Sequence, residues 1–236
     1  MPKLILVRHA QASFFAADYD ELSALGLKQA EALGTHWARQ GVAFEAVFVG
    51  PRRRHRQTCE RVAAAYRAQG LAFPDPRELT ELDEHQGPAI IKAALGKDPT
   101  TAGLALHATA SEDAAGRADA VREFFGYYNS IMREWAQGEH ALEGVESWAE
   151  FRARTLKALD LLCVGGGGAR VAFTSGGFVS SAVGWLLALD EDRVIDLSLV
   201  LSNTALSEVG WSARRRRLVS FNALPHLTDP AAVTTV

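Results

Sequence analysis

The chain has 236 residues, 48% of them apolar and 22% charged, an ordinary balance for a soluble globular protein with room for one large domain and a sizeable core. A net charge of -3 argues against nucleic acid as a partner, and the basic runs Arg52 to Arg56 and Arg214 to Arg217 are short enough to read as solvated loops. Cys59 and Cys163 have no metal-ligand or redox spacing, the apolar start after Lys3 is too short for a signal peptide, and Ala182 to Leu189 falls well short of a membrane span; a cytoplasmic protein is expected.

Leu4-Ile5-Leu6-Val7 is an uninterrupted apolar run that ends in Arg8-His9, which predicts a strand buried on both faces within a mostly parallel sheet. Ligands of open α/β sheets bind outside the carboxyl ends of the strands, so Arg8 and His9 stand where chemistry is usually done. A neutral imidazole is a competent nucleophile, and a guanidinium beside it suits a phosphate or a carboxylate. Taken alone, the pair is better read as a hydrogen-bonded loop histidine beside a surface cation.

After a loop carrying Phe14, Phe15 and Tyr19, the apolar positions Leu25, Leu27, Ala30, Leu33, Trp37 and Ala38 predict a helix from Ser23 to Gln40, stopped by Gly41. Ala46 to Val49 reads as a second buried strand broken by Gly50-Pro51, and Arg54 to Gln69 as the next helix. This alternation predicts parallel strands with helices on both faces, and it brings Arg54 to the same edge as His9. A helix start at that edge also favours an anion.

Residues 74 to 145 are the least regular part, with four prolines, a small-residue region from Thr100 to Gly116, and a helix from Ala118 to Ala136 rich in aromatic side chains: Phe124, Phe125, Tyr127, Tyr128 and Trp135. As ordinary core these rings need no function. Ser147 is a suitable N-cap, with Glu150 completing a capping box, for a helix that runs to Leu162. Gly165 to Gly168 is a turn before a third buried strand, Arg170 to Phe173; it is not a phosphate loop, because it precedes a strand and lacks the lysine and hydroxyl ending. Two short strands, Ser207 to Trp211 and Leu218 to Phe221, are expected on either side of the arginine run.

The segments Arg8-His9, Leu22 to Gly34, Gly50 to Thr58, Leu79-Thr80-Glu81, Val145-Glu146-Ser147 and Ala172 to Gly177 together resemble the histidine phosphatase superfamily, which includes the cofactor-dependent phosphoglycerate mutases. The resemblance spans residues 3 to about 180 in the family's order. It implies a three-layer α/β/α fold with a mostly parallel central sheet, one domain over 1–236, and a helical cap insertion at about 83–145 that chooses the leaving group. It further implies a two-step phosphoryl transfer with no metal and no cofactor. His9 attacks phosphorus, Glu81 protonates the departing alcohol and then activates water, and Arg8, Arg54, Ser175 and Gly176 bind the phosphoryl oxygens. For the acid role Glu81 needs a raised pKa, which burial among Leu79 and Leu82 would supply; Asp83 and Glu84 compete for the assignment.

Two positions depart from the family's pattern. Gly50 stands where serine is more usual, and Ser175 stands where the family has its second histidine. Serine donates one hydrogen bond but brings no charge, a loss of roughly 10²–10³ in rate if nothing replaces it. His55, His85 and His226 are candidates to compensate, and the sequence selects none of them; His36, His107 and His140 read as surface or cap residues, and no metal-ligand spacing occurs. The expectation is a phosphomonoester phosphatase working through phospho-His9 on a small phosphorylated substrate, with neither nucleic acid nor membrane as partner and a homodimer left open. A phosphoglycerate-type mutase ranks below it because 83–145 lacks the basic substrate contacts such an enzyme needs. A degenerate protein that binds phosphate esters without turnover is the alternative from another class.

Overall fold

Six strands form one mixed sheet in the order β3-β2-β4-β1-β5-β6. In chain order the elements are β1 (Lys3–Arg8), α1 (Ala24–Arg39), β2 (Phe44–Val49), α2 (Arg53–Ala68), β3 (Pro76–Glu78), α3 (Gly87–Leu95), α4 (126–136), α5 (Trp148–Leu162), β4 (Ala169–Thr174), α6 (Gly176–Leu187), α7 (Glu191–Val200), β5 (Leu206–Ser212) and β6 (Arg215–Ala223). This computed structural model describes residues 2–13, 20–95, 126–138 and 143–235. Phe14, Phe15, Tyr19, the region 100–116, His107, Phe124, Phe125 and His140 lie outside the described residues.

The first strand explains the layering. Side chains alternate across a strand, so Leu4 and Leu6 enter one core while Ile5 and Val7 enter the other. Ile5 and Val7 meet Leu33 and Trp37 of α1 and Val62 and Tyr66 of α2. Leu4 and Leu6 meet Leu159 and Leu162 of α5 and Phe178 and Val183 of α6. The result is a three-layer α/β/α arrangement whose central sheet is parallel from β3 through β1, with β5 and β6 added antiparallel. A separate apolar cluster joins Ile90 of α3 and Ile131, Met132 and Trp135 of α4 to Trp148, Phe151 and Val194, with Tyr127 and Tyr128 packed against it, so Trp135, Tyr127 and Tyr128 pack as core.

Register aligns the strand ends. Arg8 of β1 pairs with Thr174 of β4, and Val49 of β2 pairs with Phe173. The next residues, His9, Gly50 and Ser175, therefore emerge side by side at one edge. Helix starts are fixed by their caps: Ser23 accepts from the Gly26 amide at 3.0 Å, and Ser147 with Glu150 forms the complete capping box.

The arginine run behaves differently from the expected loop. Arg215, Arg216 and Arg217 lie within β6, which pairs with β5 along Trp211 and Gly210. On an edge strand, charged residues discourage further pairing while their stems cover apolar surface; Arg216 pairs with Asp160 and stacks over Trp185. Cys59 and Cys163 are buried free thiols, pushed up by burial to about 12 and about 11 respectively. No helix among the described residues is long and apolar enough to cross a membrane.

Candidate active site

His9 is held from three sides at the end of β1. Its amide donates to the Thr174 carbonyl of β4 at 2.8 Å, and its own carbonyl accepts from Asn203 Nδ2 at 3.2 Å. The Ala10 amide donates to Thr58 Oγ1 at 3.0 Å, and that hydroxyl donates to the Arg54 carbonyl at 2.7 Å, which ties the turn after β1 to the first turn of α2. Nδ1 of His9 lies 2.7 Å from the Ala10 carbonyl. A carbonyl only accepts, so Nδ1 carries the hydrogen and Nε2 keeps its lone pair. Burial, then Arg54, Arg8 and His55, hold this imidazole well below its ordinary pKa against the opposing pull of the Ala10 carbonyl. The ring is thus neutral at neutral pH, with a lone pair on Nε2.

Two guanidiniums flank it. Arg8 donates through Nη1 to the Leu201 carbonyl, and a Cβ on Gly176 would sit 3.4 Å from Arg8 Nε, so the start of α6 faces this cation closely. Arg54, buried in the first turn of α2, donates to Asp20 Oδ1 at 2.9 Å. Its charge is felt by His9, His55, Glu84 and His85, which places it at the centre of the group.

The three acids of the turn after β3 go to three different places. Arg154 of α5 gathers the carbonyls of Glu81 at 3.0 Å and Asp83 at 2.8 Å. Asp83 turns to Arg52 at 2.6 Å. Glu81 turns to Lys157 at 2.9 Å, and that hydrogen bond lowers its pKa, the opposite of the rise an acid there would need. The expected burial among Leu79 and Leu82 does not raise it, because the Lys157 ammonium of α5 holds the carboxylate ionised. Glu84 is the acid that faces the pocket: Oε2 accepts from the Gly177 amide at 3.1 Å. Burial pushes the Glu84 carboxyl up, but His85, the Gly177 amide, Arg54 and Arg52 together outweigh it and the net shift is down.

The histidine candidates also separate. His55 stands beside His9, with ring centroids 5.8 Å apart, and its Nε2 lies 2.6 Å from Ser175 Oγ. His85 is walled by Trp135 and Phe151, at 5.6 and 5.7 Å between centroids, and is held below its ordinary pKa chiefly by burial. His226 lies elsewhere. Thr204 gives its one hydroxyl hydrogen to the Asn203 carbonyl at 2.6 Å, so His226 Nε2 must be the donor in their 2.8 Å contact.

A small cavity of about 20 Å³ behind Gly177 is lined by His85, Tyr128, Met132, Trp148 and Phe151. An open groove of about 720 Å³ between α1 and the chain after β6 contains none of the strand-end residues, and its imidazoles, His36 and His226, face no buried guanidinium pair. Among the described residues no group of histidine, cysteine and acidic side chains could hold a metal ion. Sequence reasoning named His9, Arg8, Arg54, Ser175 and Gly176, which converge here; it did not single out Thr58 or Asn203, and it left Glu84 and His55 as members of open sets.

The description "Histidine phosphatase superfamily (branch 1)" belongs to the family model that matches residues 4–89 and 90–224. A phosphoserine phosphatase mutant from Entamoeba histolytica, solved with phosphoserine, superposes with a TM-score of 0.62 at 17% identity over 96% of this chain and 100% of that one. A phosphoglycerate mutase from Bacillus anthracis gives 0.61 at 15% identity over 95% and 94%. A mycobacterial hydrolase gives 0.60 at 20% identity over 94% and 98%. No curated protein sequence matches this chain.

Proposed function

The chain belongs to the histidine phosphatase superfamily, and we propose from that premise that it hydrolyses small phosphomonoesters through a phosphohistidine on His9. The Nε2 lone pair attacks phosphorus in line; the N–P bond forms as the bond to the leaving oxygen breaks. Arg8 and Arg54 compensate the charge on the non-bridging oxygens, with Ser175 and the amides that open α6 as further donors. The phosphoryl group competes with Asp20 for Arg54.

The proton for the leaving alkoxide is assigned to Glu84. Against burial, which pushes it up, His85, the Gly177 amide, Arg54 and Arg52 draw its carboxyl down and keep it ionised. A phosphoryl dianion neutralises Arg8 and Arg54 and adds a like charge beside the carboxylate, and both effects raise its pKa. Glu84 can then enter the first step protonated, give its proton to the alcohol, and leave as the base that takes a proton from the attacking water.

The observation that carries the proposal is the His9 imidazole, held by the Ala10 carbonyl at 2.7 Å with two guanidiniums beside it. The small cavity behind Gly177 mixes apolar and aromatic side chains with His85, Asn129, Ser180 and Ser198, and none of its described lining residues is a lysine or arginine that would hold an anionic acid for return of the phosphoryl group, which supports hydrolysis. Two buried free cysteines favour a cytoplasmic setting. The test is hydrolysis of p-nitrophenyl phosphate by the wild type and by His9→Ala. We expect turnover to fall by ~10⁴-fold or more on loss of the nucleophile; undiminished turnover in His9→Ala would overturn the proposal.

A further inference from the structure

We infer that His55 and Ser175 act as one dyad on the transferring phosphoryl group, His55 being a positioning residue that gives the serine the proton and the charge a lone hydroxyl lacks. The inference rests on the phosphatase reading for its setting, but it is drawn from three positions that fit one another.

Both side chains are fully buried, and their polar atoms meet at 2.6 Å. Ser175 is the N-cap of α6, yet its hydroxyl makes no capping bond to the helix amides, the usual role for serine at such a position. The hydroxyl is committed to His55 instead, one residue before the Gly176 that faces Arg8. The ring of His55 lies against Gly50, where a Cβ would overlap Nδ1. A serine at position 50 would push the imidazole out. The glycine at 50, the histidine at 55 and the serine at 175 therefore form one steric unit, in which the ring enters from α2 rather than from the end of β4.

Burial, then Arg54 and Arg52, with Arg56 beyond them, keep His55 neutral against the pull of the Gly50 backbone; His9 faces it from the end of β1, and Glu84 across the pocket shares Arg52 and Arg54 with it. A phosphoryl dianion between the arginines reverses the local field and favours a proton on His55. In the imidazolium both ring nitrogens are donors, so Ser175 Oγ must accept from Nε2–H, and its own hydrogen is released to a phosphoryl oxygen. No bond to phosphorus is made by either residue. The dyad adds a donor backed by positive charge at the place where the transition state gathers negative charge.

The test uses the full chain. Calorimetric titration with inorganic phosphate at pH 8, in two buffers of different ionisation enthalpy, counts the protons taken up on binding. The wild type should take up more protons than His55→Ala, a difference that grows as the pH is brought down from 8 to about 6.5. With p-nitrophenyl phosphate, His55→Ala should lose ~10²–10³ in kcat, and adding Ser175→His should restore at least about tenfold of that, because the new ring enters the space the old one left. Ser175→Ala, which removes a single oxygen, should also lower kcat and be non-additive with His55→Ala. Equal proton uptake in wild type and His55→Ala overturns the dyad, as does a loss of kcat that Ser175→His fails to relieve. If no ester is turned over but the proton difference persists, the phosphatase reading falls and the dyad stands. If the wild type hydrolyses ester and His55→Ala does so within about threefold with equal proton uptake, the dyad falls and the phosphatase stands.

Discussion

The basic wall at the ends of β1, β2 and β4 and the acidic turn after β3 face the same pocket but are specified in different ways. The wall follows from sheet register: once Arg8 is level with Thr174 and Val49 with Phe173, His9, Gly50 and Ser175 have no other place to go. The turn has no such frame. Thr80 to Leu82 make one 3-10 turn, and the directions of Glu81, Asp83 and Glu84 are set by Lys157, Arg52 and the Gly177 amide. Two of those three partners come from helices more than seventy residues further along the chain, so the turn takes its chemistry from outside itself.

Exchanging acids for amides within that turn is the sharpest way to break the comparison. Glu84→Gln removes the proton donor and should lower kcat for p-nitrophenyl phosphate by ~10²–10⁴. The loss should shrink with better leaving groups, which need less protonation. Glu81→Gln removes a half-exposed ion pair to Lys157 and should stay within about threefold of wild type, since such pairs contribute roughly 0–1 kcal/mol to stability and this one touches no pocket residue. A large effect at 81 with none at 84 would return the acid role to Glu81.

The next effect is smaller and tests how the turn is held against the wall. At Gly177 a Cβ would overlap Glu84 Oε1 and come within 2.6 Å of His85 Cδ2. Alanine suits the helix better than glycine by about 1 kcal/mol, which offsets part of an overpacking cost of roughly 1–3 kcal/mol. Gly177→Ala should therefore still fold, with a net stability loss of no more than about 2 kcal/mol, but hold Glu84 off the α6 amide, lowering kcat about tenfold, on the order of the cost of a misplaced catalytic group. Unchanged kcat would mean that the carboxylate does not need this seat.

How far the sequence reached follows the same division. The apolar run Leu4 to Val7, the caps at Ser23 and Ser147, and the strand-to-helix break at Gly50-Pro51 are local signals, and they carried the sheet, α1, α2, α5 and the placement of Arg8, His9 and Arg54. Pro76 to Glu78 gives no strand signal at three residues with a proline, and it pairs only because β2 offers an edge. Glu84 was hidden among three acids because side-chain direction in an irregular turn has no period to read. His55 was hidden in a run of arginines, where a buried, serine-bound ring looks the same as a solvated one. The signal that was available is joint: a glycine five residues before the histidine, and a serine in the position the resemblance reserves for histidine.

The smallest effect concerns acid, and it sharpens the comparison through stability rather than rate. Burial, with His36, pushes His226 down to about 4 from an ordinary value near 6.5. Between those values the unfolded chain binds the proton and the folded chain does not, so stability falls as pH drops from 6.5 and levels off near 4. At pH 5 the contribution of His226 alone is about 2 kcal/mol lost relative to neutral pH. His9, His55 and His85 are shifted in the same direction and steepen the loss over the same upper window. Glu81 and Glu84, also shifted down, add theirs only below about 4.5, where the unfolded carboxylates begin to protonate. Acid should thus act on the histidines first and on the acidic turn second. Urea midpoints measured at pH 7, 6 and 5 should show the first phase, and His226→Gln, which keeps an N–H donor for Thr204 but cannot titrate, should recover about 2 kcal/mol of the decline. A decline that is identical in the variant would assign the first phase to the wall histidines alone.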